Sequence, residues 1–224
     1  MKTREYFIFF LSSVLLVLVF AFVFQFGFSL YDKYLAKQLT DQIQLSNPKH
    51  IFARKVLDKI LVANNKKPSE FHLIIENDDS RLFAESHIGQ AIHFSNLLLE
   101  SIDTEQGLAF ILAHELSHMD GGHSYSFRSF ALSQNWGGND FMYARAFNHK
   151  QELEADREAL KLLENTYPKL NQEEVLELFG VESKLRNDPN YHIKERSRIN
   201  AINYTHPVDS KRISLIKYLI NKSL

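Results

Sequence analysis

Hydrophobic and polar positions follow three rhythms along this chain. The first has almost no period: an apolar run opens at Phe7 and closes at Leu30, interrupted mildly by Ser12, Ser13, Gln25 and Ser29. At 1.5 Å per residue such a run makes about 36 Å of helix, enough to cross a bilayer with some tilt. Residues 26–30 (FGFSL) form a poor small-x-small cleavage site, so the run reads as an uncleaved signal-anchor, ahead of a cleaved signal peptide or a buried soluble helix. Lys2 and Arg4 favour a cytoplasmic N-terminus and place the remainder on the non-cytoplasmic side, periplasmic or extracellular; Lys33 and Lys37 oppose that asymmetry.

The second rhythm is helical. Leu35, Leu39 and Ile43 recur every fourth residue, which predicts an amphipathic helix leading away from the membrane and broken at Pro48. Residues 51–63 predict a further helix with Phe52, Val56 and Ile60 on its apolar face. Both faces suit packing against the following domain better than lying on a membrane surface.

The third rhythm is short and strand-like. Residues 71–75 (FHLII), 81–84 (RLFA) and 90–95 (QAIHFS) predict three strands, with a turn at 77–80 (NDDS). A strongly apolar helix follows directly. Asp103 with Gln106 resembles a capping box at its start, and Gly121 with Gly122 ends it. Residues 150–160 read as another helix, closed by Tyr167 and Pro168, with Asn171 capping the next and residues 208–219 forming the last. The irregular stretch 124–148, around Trp136, reads either as a flap over a cleft or as a surface connection.

The pattern predicts an α+β fold: a mostly helical domain with a small three-stranded sheet packed on the long apolar helix. Its divisions are a membrane helix over 1–31, a helical lead-in over 32–65 and the main domain over 66–224. Composition narrows the chemistry. The 224 residues carry a net charge of −1 with no basic cluster, so nothing points to nucleic acid. The absence of cysteine removes disulfides and thiolate metal sites, leaving histidines and carboxylates as the strong ligands.

Against that background one stretch stands out. His114, Glu115 and His118 form His-Glu-x-x-His within HELSH. Two histidines four apart on a helix project from one face, so both imidazoles can reach one zinc ion. The intervening glutamate sits where a carboxylate can take a proton from an activated water. A catalytic zinc wants a third protein ligand and an open position. One candidate is His123, five residues after His118, which the glycine pair would have to turn back. The other lies in residues 150–160, where Glu152 and Asp156 share a face and Glu154 points roughly the other way. One carboxylate on the metal and one orienting an imidazole N–H is a common arrangement around zinc.

HELSH, the later ELEAD of residues 152–156, and Thr205, His206 and Pro207 with Arg212 together resemble the HtpX/CAAX-prenyl-protease family of HExxH zinc metallopeptidases, the gluzincins. The resemblance covers residues 71–216. It implies a zincin-like fold and one zinc ion per chain held by His114, His118 and Glu152. Glu115 would be the general base and Asp156 would support a ligand. His206 would face the developing oxyanion, and Arg212 would tie the late segment to the site. His123 would be a supporting residue, with a counterpart in members similar to the β-barrel-assembly-enhancing protease. Arg81, Leu82, Phe83 and Ala84 depart from the Asn-Ala-Phe-Ala common in the family. A single apolar span and no helical repeats after the domain mark a minimal, single-anchor member.

The expected activity is that of a membrane-anchored zinc metalloendopeptidase in protein quality control or processing. Its peptide substrate would lie extended along an edge strand, expected at Ala91, Ile92, His93 and Phe94, with His93 at the cleft margin. Two alternatives stay open: a weakly active chaperone-like or assembly factor that keeps the zinc, and a protease using His123 as third ligand.

Overall fold

The computed structural model describes residues 6, 10–16, 19–20, 23, 27, 30, 34, 41, 43–76, 82–87, 89–123, 149–181 and 210–223. In chain order the elements are α1 (Pro48–Ala63), a 3-10 turn (Pro68–Glu70), β1 (His72–Glu76), β2 (Ala84–His87), β3 (Ala91–Ser95), α2 (Asn96–Ser101), α3 (Glu105–Asp120), α4 (His149–Thr166), α5 (Gln172–Val175) and α6 (Ser210–Ser223). The α+β class expected from the sequence is what these elements form. Of the span over residues 7–30, residues 10–16, 19–20, 23, 27 and 30 are described and helical, and the irregular stretch 124–148 lies outside the described residues. Among those described, no helix is long and apolar enough to cross a membrane.

The sheet has the order β1-β3-β2, with β1 parallel to β3 and β2 antiparallel to it. Its inner face presents Leu73, Ile75, Ile92, Phe94 and Ala84 to the core, while Glu76, Glu85, His87 and His93 stay partly exposed on the other. Two expectations are corrected here. The second strand begins at Ala84, where residues 81–84 were expected to form it. More consequentially, β3 pairs on both sides, so Ala91, Ile92, His93 and Phe94 form the central strand and not an edge. The reason is the parallel crossover: β1 joins β3 on the side away from β2, and local alternation does not encode that order. His93 is a strand residue, its Nδ1 3.1 Å from Glu76 Oε1.

Between β3 and the long helix lies α2, a short helix that the strand pattern did not announce; Ser95 caps it by accepting from Leu98 N. The N-cap of α3 is Thr104, not Asp103: its Oγ1 accepts from Gly107 N at 3.1 Å. The Glu177 carboxylate, 73 residues after Thr104, accepts from the backbone N–H of Asp103 (2.7 Å) and of Thr104 (3.1 Å). Gln106 does not reach back to complete a capping box; it donates to Lys169 O and accepts from Asn171 N. A side chain at Gly107 would lie 2.5 Å from Glu177 and 2.7 Å from Thr104 Oγ1, so this cap requires glycine there.

Helix α3 is the centre of the domain. Every residue from Gly107 to Met119 is buried, as expected of a helix apolar on all sides. It packs against α4 above all, and against α1, α5 and β2. Pro48 does not merely break the preceding segment; it occupies the first turn of α1 behind an Asn47 cap. Ile43 to Asn47 are not helical, while Leu35 and Leu39, which carried the expected lead-in helix, lie outside the described residues. The lead-in does touch the domain, since Asp41 Oδ1 accepts from Leu73 N at 3.0 Å and from Arg54 Nη1 at 3.1 Å.

Candidate metal centre

Helices α3 and α4 bring together the residues singled out in the sequence. His114 and His118 lie one turn apart on α3, and Glu152 lies in the first turn of α4. All three are buried. Their ligand atoms make a small triangle: 3.0 Å between the two Nε2 atoms, 3.4 Å from His114 Nε2 to Glu152 Oε2, and 3.3 Å from His118 Nε2 to Glu152 Oε1. Zinc–nitrogen and zinc–oxygen bonds of about 2.0–2.1 Å in a tetrahedron put neighbouring ligand atoms about 3.3–3.4 Å apart. The triangle therefore has the size of one face of a zinc coordination tetrahedron, and these three are the group among the described residues able to hold a metal ion.

Charge supports the same fit. Glu115, Glu152 and Asp156 are buried carboxylates, and Arg212 is the buried guanidinium beside them. Among the described residues, three buried acidic side chains stand against one buried guanidinium, an excess that suits a divalent cation. Without a cation, burial pushes the His114 ring down, but the hydrogen bonds and charges of Asp156 and Glu152 outweigh it and raise its pKa to about 9. A proton can partly take the place of a metal here.

The support of His114 is deep. Its Nδ1 lies 3.0 Å from Asp156 Oδ1, which fixes the proton on Nδ1 and leaves Nε2 as the ligand atom. Asp156 is in turn gripped from α6 by a fork of two bonds, Arg212 Nε to Oδ2 at 2.7 Å and Nη2 to Oδ1 at 2.6 Å. Burial would raise the Asp156 carboxyl, but Arg212 and His114 hold it below its ordinary value. Arg212 also sets Nη1 2.9 Å from Glu152 Oε2. It thus joins the two carboxylates of α4 to the last helix. The Phe179 ring lies 5.4 Å from this guanidinium and 6.4 Å from Phe110, which lines the His114 side. Phe179 had no signal in the sequence, because its part depends on a fold-back of the chain onto α3.

Glu115 is buried next to His114 on α3. His123 is folded back by Gly122, whose φ is +66°, yet its Nδ1 meets His118 Nδ1 at 2.9 Å. The structure thus sets Glu152, not His123, beside the two Nε2 atoms. Burial lowers the His123 pKa, with Glu154 and Glu152 opposing that shift. His206 lies outside the described residues.

The sequence matches peptidase family M48 over residues 49–145 and 138–220. The chain belongs to that family. Its members are zinc metallopeptidases, and the chain is accordingly a metallopeptidase, with a buried trio that could bind a metal. No curated protein matches it.

Proposed function

We propose that this M48 peptidase is a zinc-dependent metalloendopeptidase that uses His114, His118 and Glu152 as ligands and Glu115 as general base. The triangle of ligand atoms, sized for one face of a tetrahedron, is the observation that carries the reading. Zinc bound there would polarise the scissile carbonyl and lower the pKa of a water to about 7. The Glu115 carboxylate takes the proton of the attacking water and delivers it to the departing amide nitrogen. Asp156 keeps the His114 proton on Nδ1, and Arg212 immobilises Asp156 and Glu152 while the charge at the site changes. His206, from the late His-Pro that resembles the HtpX/CAAX-prenyl-protease pattern, donates to the developing oxyanion, an effect of about 3 kcal/mol in other enzymes.

Because β3 is central, the substrate strand belongs on an outer strand, and the outer strand packed against α3 is β2. An extended peptide adding to β2 would run beside the helix that carries HELSH. The apolar run over residues 7–30 supports a single-pass anchor with the peptidase domain on the non-cytoplasmic side, and a role in protein quality control or processing suits an anchored endopeptidase.

The test is casein cleavage and zinc content in wild type and Glu115→Gln. The variant should lose proteolysis and keep one zinc per chain, because the base is not a ligand. Cleavage by Glu115→Gln at the wild-type rate would remove Glu115 from the mechanism. A wild-type protein that binds zinc but cleaves nothing would favour the chaperone-like alternative. Retention of the chain in carbonate-washed membranes checks the anchor; a soluble product beginning near residue 31 would refute it.

A further inference from the structure

We propose that His123 and Glu154 form a positioning relay for His118, the counterpart on that side of what Asp156 and Arg212 do for His114. The inference rests on the zinc-ligand reading above and assigns roles to two residues that are not themselves ligands.

The His118 Nε2 faces His114 Nε2 at 3.0 Å and Glu152 Oε1 at 3.3 Å, so it is the atom turned to the metal site. A neutral imidazole carries one N–H. For Nε2 to offer its lone pair, the proton must sit on Nδ1 and needs an acceptor. The atom in place is His123 Nδ1, 2.9 Å away. His123 Nδ1 therefore accepts, and its own proton resides on Nε2. That nitrogen points toward Glu154 Oε2, 3.7 Å away, within reach of charge attraction though longer than a direct hydrogen bond. The chain Glu154, His123, His118 thus selects one tautomer of the ligand.

The backbone is shaped for this. Gly122 takes φ +66°, which turns the chain back, and a side chain at Gly121 would lie 2.9 Å from His123 Nε2 and 3.1 Å from its Cε1. The glycine pair does more than end α3: it seats His123, buried, against the outer nitrogen of His118. Within ELEAD all three acids then have a task, Glu152 at the metal, Asp156 behind His114 and Glu154 behind His123.

Zinc affinity measured by competition with a chelating dye, together with the visible spectrum of the cobalt-substituted protein, tests the relay without reference to activity. His123→Ala should bind one zinc at saturation but about 10–100-fold more weakly, with an altered cobalt spectrum. His123→Asn, which restores an acceptor oxygen near the Nδ1 position, should recover most of the affinity, and Glu154→Gln should show a smaller loss in the same direction. Affinity and cobalt spectrum unchanged in His123→Ala would overturn the proposal, and so would complete loss of zinc from a folded His123→Ala, which would make His123 a ligand. Wild-type affinity in Glu154→Gln would remove Glu154 from the relay. If the alanine variant does not fold, His123→Asn against the isosteric His123→Leu decides: equal affinities in those two overturn it. A wild-type chain that binds no zinc would instead defeat the metal reading itself, so the two failures are distinct.

Discussion

His114 and His118 sit one turn apart on the same helix, yet their surroundings differ in depth. Behind His114 stand Asp156 and Arg212, both fully buried and joined by a bidentate fork. Behind His118 stands His123, on a turn after the helix, and then Glu154, whose side chain is 43 % exposed and also lies 3.6 Å from Lys150. Coulomb attraction is strong where water is excluded and weak where it is not. One side of the site is therefore held by charge, and the other by geometry and a neutral hydrogen bond. The first side links α3, α4 and α6, while the second links only the end of α3 to the exposed face of α4.

The largest expected effect breaks the deep side. Arg212→Ala leaves Asp156 and Glu152 buried without their cation, which typically costs about 3–5 kcal/mol. Urea unfolding of the zinc-free protein measures it, and a loss under about 1 kcal/mol would show that the guanidinium is not holding the helices together. Arg212→Lys restores charge but not the fork, and should recover only part of the loss.

A pH series sharpens the comparison further. His114 has its pKa raised from 6.5 to about 9 in the metal-free protein. A raised folded pKa means that the proton stabilises the folded state, fully below 6.5, and that this contribution is lost as pH rises through about 9. The thermal midpoint of the zinc-free protein should fall over that window. The zinc-bound protein should not share the fall, because zinc and the proton compete for the same ring and zinc affinity rises with pH across the same range. A flat midpoint for the zinc-free protein would mean that the proton is not stored at His114.

The smallest effect belongs to the exposed side. Lys150→Ala removes a cation 84 % exposed and 3.6 Å from Glu154. It should change stability by no more than about 0.5 kcal/mol, as for most surface ion pairs. A larger change in a urea titration would show that Glu154 is more shielded than its exposure implies.

The sequence was most informative where one helix carries the whole signal. His114, Glu115 and His118 are set by a four-residue spacing; Glu152 and Asp156 share another, but spacing left His123 open beside Glu152, and the family resemblance is what pointed to the carboxylate. The sheet was less legible. Alternation identified strands near the right places, but the central position of β3 depends on a parallel crossover, and the start of β2 at Ala84 depends on pairing with Phe94. The cap of α3 was misplaced by one residue because Glu177, 73 positions away from Thr104, supplies the acceptor that local spacing assigned to a capping box. The part played by Glu154 was hidden for a related reason. Its helical phase puts it off the metal-facing side, and the return of His123 is what brings a site residue to it.

In the proposed site Glu152, not the histidine after the glycine pair, completes the metal trio. Bound zinc per chain in the single variants Glu152→Ala, Glu154→Ala and His123→Ala, measured at saturating zinc after gel filtration, tests it most directly. Near-complete loss is expected in Glu152→Ala, with the other two still able to take up about one zinc when it is saturating, because neither is a ligand. Loss of zinc in His123→Ala with retention in Glu152→Ala would contradict the ligand set.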